Sequence, residues 1–214
     1  MKIVDLSHTV SPHIPIYPGT EPPISSSPCT IDTVGFAEKK ITLYSHTGTH
    51  VDGPAHIIEG ARTLDQMSID CFAGPSCVLD LSRIKKPTID IADLEPFECH
   101  IGGEEFVLLH TGWDKYWGRD QYFEGYPILS RDSALWLAGH NLKGVGVDAI
   151  SVDDVGSKTF PIHKILLEYN TIVIENLVNL LKLPKNSFIF FCMPLKLEKA
   201  DGSPVRAIGV IEGL

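Results

Sequence analysis

The stretch His46-Thr47-Gly48-Thr49-His50-Val51-Asp52-Gly53-Pro54-Ala55-His56 places three histidines and one aspartate within eleven residues, shaped by two glycines and a proline. Imidazole nitrogen and carboxylate oxygen are the ligands that zinc and its first-row neighbours take in catalytic sites. Such sites use three protein ligands and keep one position open for water. His46, His50 and Asp52 supply three ligands, which leaves His56 over. An imidazole titrates near neutrality, so a histidine beside such a centre is suited to carry protons. The segment holds most of what a metal-dependent hydrolase requires.

The spacing also constrains the backbone. In a straight strand His46 and His50 would share a face but stand roughly 13 Å apart, too far for one ion. The chain must coil, either as one helical turn or as a tight loop. Thr47, Thr49 and Val51 are poor helix formers, and Gly53-Pro54 would stop a helix at once. Gly48 tolerates backbone angles closed to other residues. The pattern therefore predicts a strand over 40–45, with Ile41 and Leu43 alternating, that runs into a compact ligand loop.

Working outward, strand-like runs lie at 2–6, 41–44, 76–80, 106–110, 144–147, 171–174, 187–191 and 205–211. Helical patterns cover 130–140, where Ser130 can cap and Gly139 and Asn141 fit the end, and 162–169. Segments 12–28 and 85–96 are Pro-rich connections. The pattern by itself gives an α/β class, read as a single domain over 1–214.

The eleven-residue segment resembles the His-x-Gly-Thr-His-x-Asp-x-Pro-x-His motif of the cyclase family of metal-dependent hydrolases, which includes kynurenine formamidases (arylformamidases) and isatin hydrolases. Further likeness lies in Ile3-Val4-Asp5-Leu6-Ser7-His8, Pro15-Ile16-Tyr17-Pro18-Gly19 and Thr111-Gly112-Trp113-Asp114-Lys115-Tyr116-Trp117. It continues in Gly144-Val145-Gly146-Val147-Asp148 through Ser151 and Asp153, in Pro161-Ile162-His163, and in Ile174-Glu175-Asn176-Leu177. The resemblance implies a swivelling β/β/α fold, a mixed sheet with flanking helices. It implies that His46, His50 and Asp52 bind one metal, that Asp52, His163 and Glu175 frame a second position, and that His56 is the catalytic acid/base. It also implies a homodimer or homotetramer. The implied reaction is hydrolysis of an amide-type C–N bond in a small molecule, N-formylkynurenine first, with isatin-like cyclic amides as the alternative. Tyr17 would touch that substrate. The sequence departs from the family pattern at Tyr17, Gly53 and Ile57, positions expected to wall the substrate rather than to ligate.

Spacing alone would make His163 a loop residue and Glu175 a surface acid, since charged residues are mostly solvated. Against that, Thr171-Ile172-Val173-Ile174 is a β-branched run of the kind that forms a buried strand. Glu175 ends it, where an acid needs a partner such as a cation. Nitrogen and oxygen donors suit zinc and manganese alike, one or two ions per chain, with zinc the first expectation.

Composition excludes other classes. A net charge of −9 with no basic cluster argues against a nucleic-acid surface. The longest apolar run, 188–193, is far short of the ~20 residues that span a bilayer. Asp5 stands where a signal peptide would be apolar, and five scattered cysteines without C-x-x-C spacing read as reduced thiols, so a cytoplasmic location is expected. Gly144-Val145-Gly146-Val147-Asp148-Ala149 formally fits a dinucleotide-binding G-x-G-x-x-A, yet it is itself strand-like rather than a turn between strand and helix. No G-x-S-x-G elbow exists for a serine hydrolase. A non-catalytic metal-binding protein on the same fold is the remaining alternative, and it would make His56 dispensable.

Overall fold

A computed structural model describes residues 1–185 and 188–211. Its strands, in chain order, are β1 (Lys2–Asp5), β2 (Ile24–Cys29), β3 (Glu38–Thr42), β4 (His50–Asp52), β5 (Ala73–Asp80), β6 (Thr88–Ile89), β7 (Phe106–His110), β8 (Ile128–Leu129), β9 (Gly144–Val147), β10 (Ile172–Glu175), β11 (Phe188–Phe191), β12 (Gly202–Pro204) and β13 (Ile208–Ile211). Nine of them form one mixed sheet in the order β1-β13-β11-β5-β7-β9-β10-β4-β12. Its centre, β5-β7-β9-β10, is parallel, and antiparallel pairs extend it on both sides. This is the mixed-sheet α/β architecture that the resemblance implied.

The central strands read as unbroken apolar runs because both faces of the sheet are covered. Cys77, Leu79, Val107, Leu109, Val145, Val147 and Val173 point into one core, with Leu137 from the helix Arg131–Ala138 and Leu166 from the helix Pro161–Glu168. Their neighbours Val78, Phe106, Leu108, Ile172 and Ile174 point the other way, against Val51, Phe188 and Phe190. Ser130 caps the first helix as predicted, its hydroxyl accepting from Ser133 N at 3.1 Å. The left-handed residue past that helix is Asn141, at φ 56°, while Gly139 keeps helical angles.

Three expectations need correction. The strand predicted over 40–45 ends at Thr42, because it pairs with β2 in a separate hairpin. The Pro-rich segments are not plain connections, since 12–28 contains most of β2, and 85–96 contains β6 and a short helix Ile91–Leu94. The run 205–211 is a strand only from Ile208, and the predicted start of β11 at Ser187 lies outside the described residues. Gly144 and Gly146 lie inside β9, at the centre of the sheet, which removes the dinucleotide-binding reading.

Candidate active site

The ligand segment coils and then straightens. Residues 46–49 form a loop in which Gly48 takes φ +67°, where an L side chain would be strained. The chain then enters β4, which is buried throughout. β4 pairs with β10 so that His50 stands opposite Glu175 and Asp52 opposite Val173. Residues directly opposite share a face of a sheet. His50, Asp52 and Glu175 therefore project together toward the helix-covered side, while Val51 and Ile174 fill the other core. His163 enters the same space from the first turn of the helix Pro161–Glu168.

Three of these rings are turned by partners behind them. The Gly48 carbonyl accepts from His50 Nδ1 at 2.8 Å, which leaves Nε2 3.2 Å from Asp52 Oδ1 and 3.5 Å from Glu175 Oε2. Asp153 accepts from His163 Nδ1 at 2.8 Å and from the backbone of Ile162 and His163, so one carboxylate both caps the helix and fixes the ring. His163 Nε2 then lies 3.2 Å from Glu175 Oε1 and 3.4 Å from Asp52 Oδ2. Glu175 Oε1 also accepts from Val152 N. His46 is bracketed by carboxylates, with Nδ1 2.6 Å from Asp52 and Nε2 2.9 Å from Asp201. Its ring packs so closely over Gly202 that a Cβ there would come within 2.4 Å of it.

His56 follows in the short turn Pro54–His56, its ring centroid 3.9 Å from that of His46, and its Nδ1 3.6 Å from Asp201 Oδ2. A cavity of about 150 Å³ opens over these groups, lined by Tyr17, Thr20, Ile150, Ser151 and Phe160 besides His46, His50, His56, His163 and Glu175. A wider groove of about 640 Å³ between Asp80 and Phe97 is lined by Arg83, Lys85 and Lys86 and carries no histidine.

Charge explains the chemistry of the cluster. Burial would lower the pKa of His46, but Asp52 and Asp201 override it and hold the group up to about 10. Burial likewise opposes the charge on His163, yet Asp153, Asp52 and Glu175 push its pKa well above the usual imidazole range. Burial would raise the carboxyl of Asp52, but the imidazoles of His50, His46 and His163 hold it well below the usual range. His56 differs: burial, reinforced by the neighbouring His46 and His163, outweighs the carboxylates and lowers its pKa. It is a neutral base at neutral pH.

The donor set fits a divalent cation. Asp52 Oδ2 is buried and without a hydrogen-bond partner, with His163 Nε2 3.4 Å away. His50, Asp52 and Glu175 bring one ligand atom each within 4.8 Å of one another, and so do His46, Asp52 and His56. Asp52 belongs to both groups. Buried carboxylates crowded against imidazoles call for positive charge among them, which protons on the rings or a bound cation supply. The further grouping of His110, Asp114 and Asp148 is different, because Asp148 already accepts from Thr111 and Gly112.

A family profile described as "Putative cyclase" matches residues 4–154. The kynurenine formamidase of Geobacillus thermodenitrificans is 33% identical over 206 residues, covering 95% of each chain. The chain belongs to the cyclase family. Among solved structures, isatin hydrolase A from Ralstonia solanacearum superposes with a TM-score of 0.88 at 27% identity, over 99% of this chain and 92% of that one. A predicted metal-dependent hydrolase from Bacillus stearothermophilus gives 0.79 at 27% identity, over 97% of each. This cyclase-family chain is accordingly a hydrolase, and a divalent metal is the cofactor that its donor set accommodates.

Of the six residues expected for metal and proton transfer, His46, His50, His56, His163 and Glu175 line one cavity, and Asp52 lies buried against His46, His50 and His163. His163 and Glu175 are buried rather than on a loop and at the surface, as spacing alone had suggested. Tyr17 lines the cavity with its hydroxyl already donated to Val155 O at 3.0 Å, so its ring is what it offers a ligand. Ile57 packs against the core and is not among the cavity's lining residues, and Gly53 abuts Leu64, so two of the three departures do not wall the substrate. Sequence reasoning missed Asp201 and Phe160. Asp201 had no signal, lying 155 positions from its partner His46. Phe160, at φ 45°, is a strained residue immediately before a proline, visible only once the backbone is built.

Proposed function

We propose that this chain is a kynurenine formamidase, hydrolysing the N-formyl amide of an arylamine to the free amine and formate. The observation that carries this reading is a cluster of three buried carboxylates and two buried imidazoles, with the half-buried His46, beside a base that stays neutral, under a small cavity lined in part by Tyr17 and Phe160. His46, His50 and Asp52 would hold one ion, and Asp52, His163 and Glu175 would frame a second position, zinc being the first expectation and manganese the second. Bound there, a divalent metal supplies Lewis-acid polarisation and a water acidic enough to ionise near pH ~7.

The chain's own groups do the rest. His56, neutral and with Nδ1 toward Asp201, has Nε2 free to take a proton from water and return it to the departing nitrogen. Tyr17 and Phe160 line the cavity and offer an aryl group aromatic surface to pack on. Cyclic-amide hydrolysis, as in isatin hydrolases, is the second reading, favoured by the close superposition with those structures. A panel of N-formylkynurenine, simpler formyl-arylamines and isatin, assayed with zinc and with manganese, tests both. Turnover should be highest on the formyl amides; turnover of isatin alone would exchange the two readings, and turnover of none would remove both.

A second copy of the chain is the partner proposed for the hairpin β2–β3. That hairpin exposes Ile24, Ile31, Val34, Phe36 and Ile41, and a two-stranded hairpin is marginal in water without cover. It leads within a few residues into His46, so cover there would also steady the site. A single domain and a cytoplasmic location complete the reading. β1 and β13 pair, joining the two ends of the chain in one sheet, and all five cysteines are free. Among the described residues no helix is long and apolar enough to cross a membrane.

A further inference from the structure

Behind the ligand cluster lies a chain of buried hydrogen bonds that the proposed reaction does not use. The Gly48 carbonyl accepts twice, from His50 Nδ1 at 2.8 Å and from Asn176 Nδ2 at 3.0 Å. Asn176 Oδ1 accepts from the hydroxyl of Tyr122 at 2.7 Å. A carbonyl can only accept, so both nitrogens must donate to it. That assigns the orientation of the Asn176 amide, leaves its oxygen facing Tyr122, and makes the phenol the donor. It also places a proton on His50 Nδ1 and turns Nε2 toward Asp52 and Glu175.

The backbone of Asn176 is held as firmly as its side chain. Its N–H donates to Ala149 O at 3.0 Å, its carbonyl accepts from Thr49 Oγ1 at 2.6 Å, and its φ is +59°. Asn176 directly follows Glu175, and Thr49 directly precedes His50. One residue thus ties the end of β10 to the start of β4, and Tyr122, which is fully buried, anchors it from 54 positions away.

We propose that Tyr122 and Asn176 are positioning residues that fix the His50 ring relative to Glu175 through the carbonyl of Gly48. Neither touches the cavity; both act on where a ligand nitrogen points. The inference rests on the reading of His50 as a metal ligand. Partners behind a metal-binding histidine typically change metal affinity by ~10–100-fold when removed.

Two substitutions isolate the network. Tyr122→Phe deletes one hydroxyl and nothing else. Asn176→Asp keeps the shape, tolerates the left-handed backbone and still accepts from Tyr122, but cannot donate to Gly48 O. Thr171→Val is the control, because it also deletes a buried hydrogen bond, to Leu142 O at 3.1 Å, next to the far end of β10 from Glu175. The measurements are the zinc dissociation constant of the full chain, by competition with a chromogenic chelator, and the melting temperature of the metal-free protein. All three variants should melt lower. Only Tyr122→Phe and Asn176→Asp should bind zinc more weakly, by ~10–100-fold. Unchanged zinc affinity in both, with melting lowered as in the control, makes the network merely structural and overturns the proposal. If one variant does not fold, the other decides. A wild type that binds no zinc, or a His50→Ala variant that binds it as the wild type does, overturns the ligand reading along with this one.

Discussion

Two neighbouring regions of this molecule reverse the usual division of polar outside and apolar inside, in opposite senses. The cluster around β4 and β10 buries three carboxylates and two imidazoles to within a few per cent of full exclusion from solvent, apart from the half-exposed Asp201. The hairpin β2–β3, ending four residues before His46, has no buried residue and turns isoleucine, valine and phenylalanine outward. Each inversion is costly in isolation, by desolvation in the first case and by exposed apolar surface in the second. The difference teaches what each region lacks. Converging buried negative charge calls for a cation, and an uncovered apolar arm calls for another surface.

The sharpest way to break the first half of the comparison is at His56, which stands at the cluster but carries the opposite pKa response to its neighbours. His56→Ala should lose ~10²–10⁴-fold in turnover while metal content stays at the wild-type level. Elemental analysis and initial rates on the same preparation check it. Metal lost in step with activity would make His56 a support for a ligand, and full activity with metal retained would remove it from the mechanism.

The second half is tested on the arm. Phe36→Asp combined with Ile41→Glu should convert an oligomer into a monomer in light scattering. Because each side chain is more than half exposed within one chain, the fold itself should change by no more than ~0.5 kcal/mol per site. A wild type that is already monomeric would leave the arm without the partner proposed for it.

The smallest effect belongs to an exposed pair, which sets the scale for charge outside the cluster. The Arg206 guanidinium donates to both oxygens of Asp5, at 2.8 and 2.7 Å, and its hydrogen bond holds the Asp5 carboxyl below its ordinary 3.8. A depressed carboxyl pKa contributes stability above the unfolded value and loses it as pH falls through the folded one. Arg206→Ala should therefore cost little at neutral pH, with wild type and variant converging as pH drops below 3.8. Denaturant midpoints at several pH values measure it. A constant difference across that range would assign the effect to packing of the arginine stem instead.

Much of the site was legible because it is local. His46, His50, Asp52 and His56 lie in one segment whose spacing forces the chain to coil, and the coil is there, with Gly48 in the conformation only glycine takes freely. What was illegible is what arrives from elsewhere in the chain. His163 gave no signal in spacing alone, and Glu175 only the hint of an acid ending a β-branched, buried run; the family resemblance pointed to both. Asp201 and Tyr122 had no pattern at all, being single residues whose meaning is the partner they reach, and Asp153 stood only inside a stretch of family likeness.

By itself the sequence determined the α/β class, the positions of the central strands, the coiled ligand segment and the kind of chemistry its side chains can carry. These follow from periodicity of two or 3.6, from glycine and proline stereochemistry, and from the donor atoms present, all properties of residues within a few positions of one another. Only the tertiary structure decided that β4 pairs with β10 in the register that sets His50 against Glu175, and that Asp52 is shared between two ligand groups. It alone separated His56, whose pKa burial lowers, from the neighbouring His46, whose pKa Asp52 and Asp201 raise. The reason is that register, burial and field are sums over distant residues. The pKa of His46 depends on Asp201, 155 positions away, and no local pattern encodes that distance.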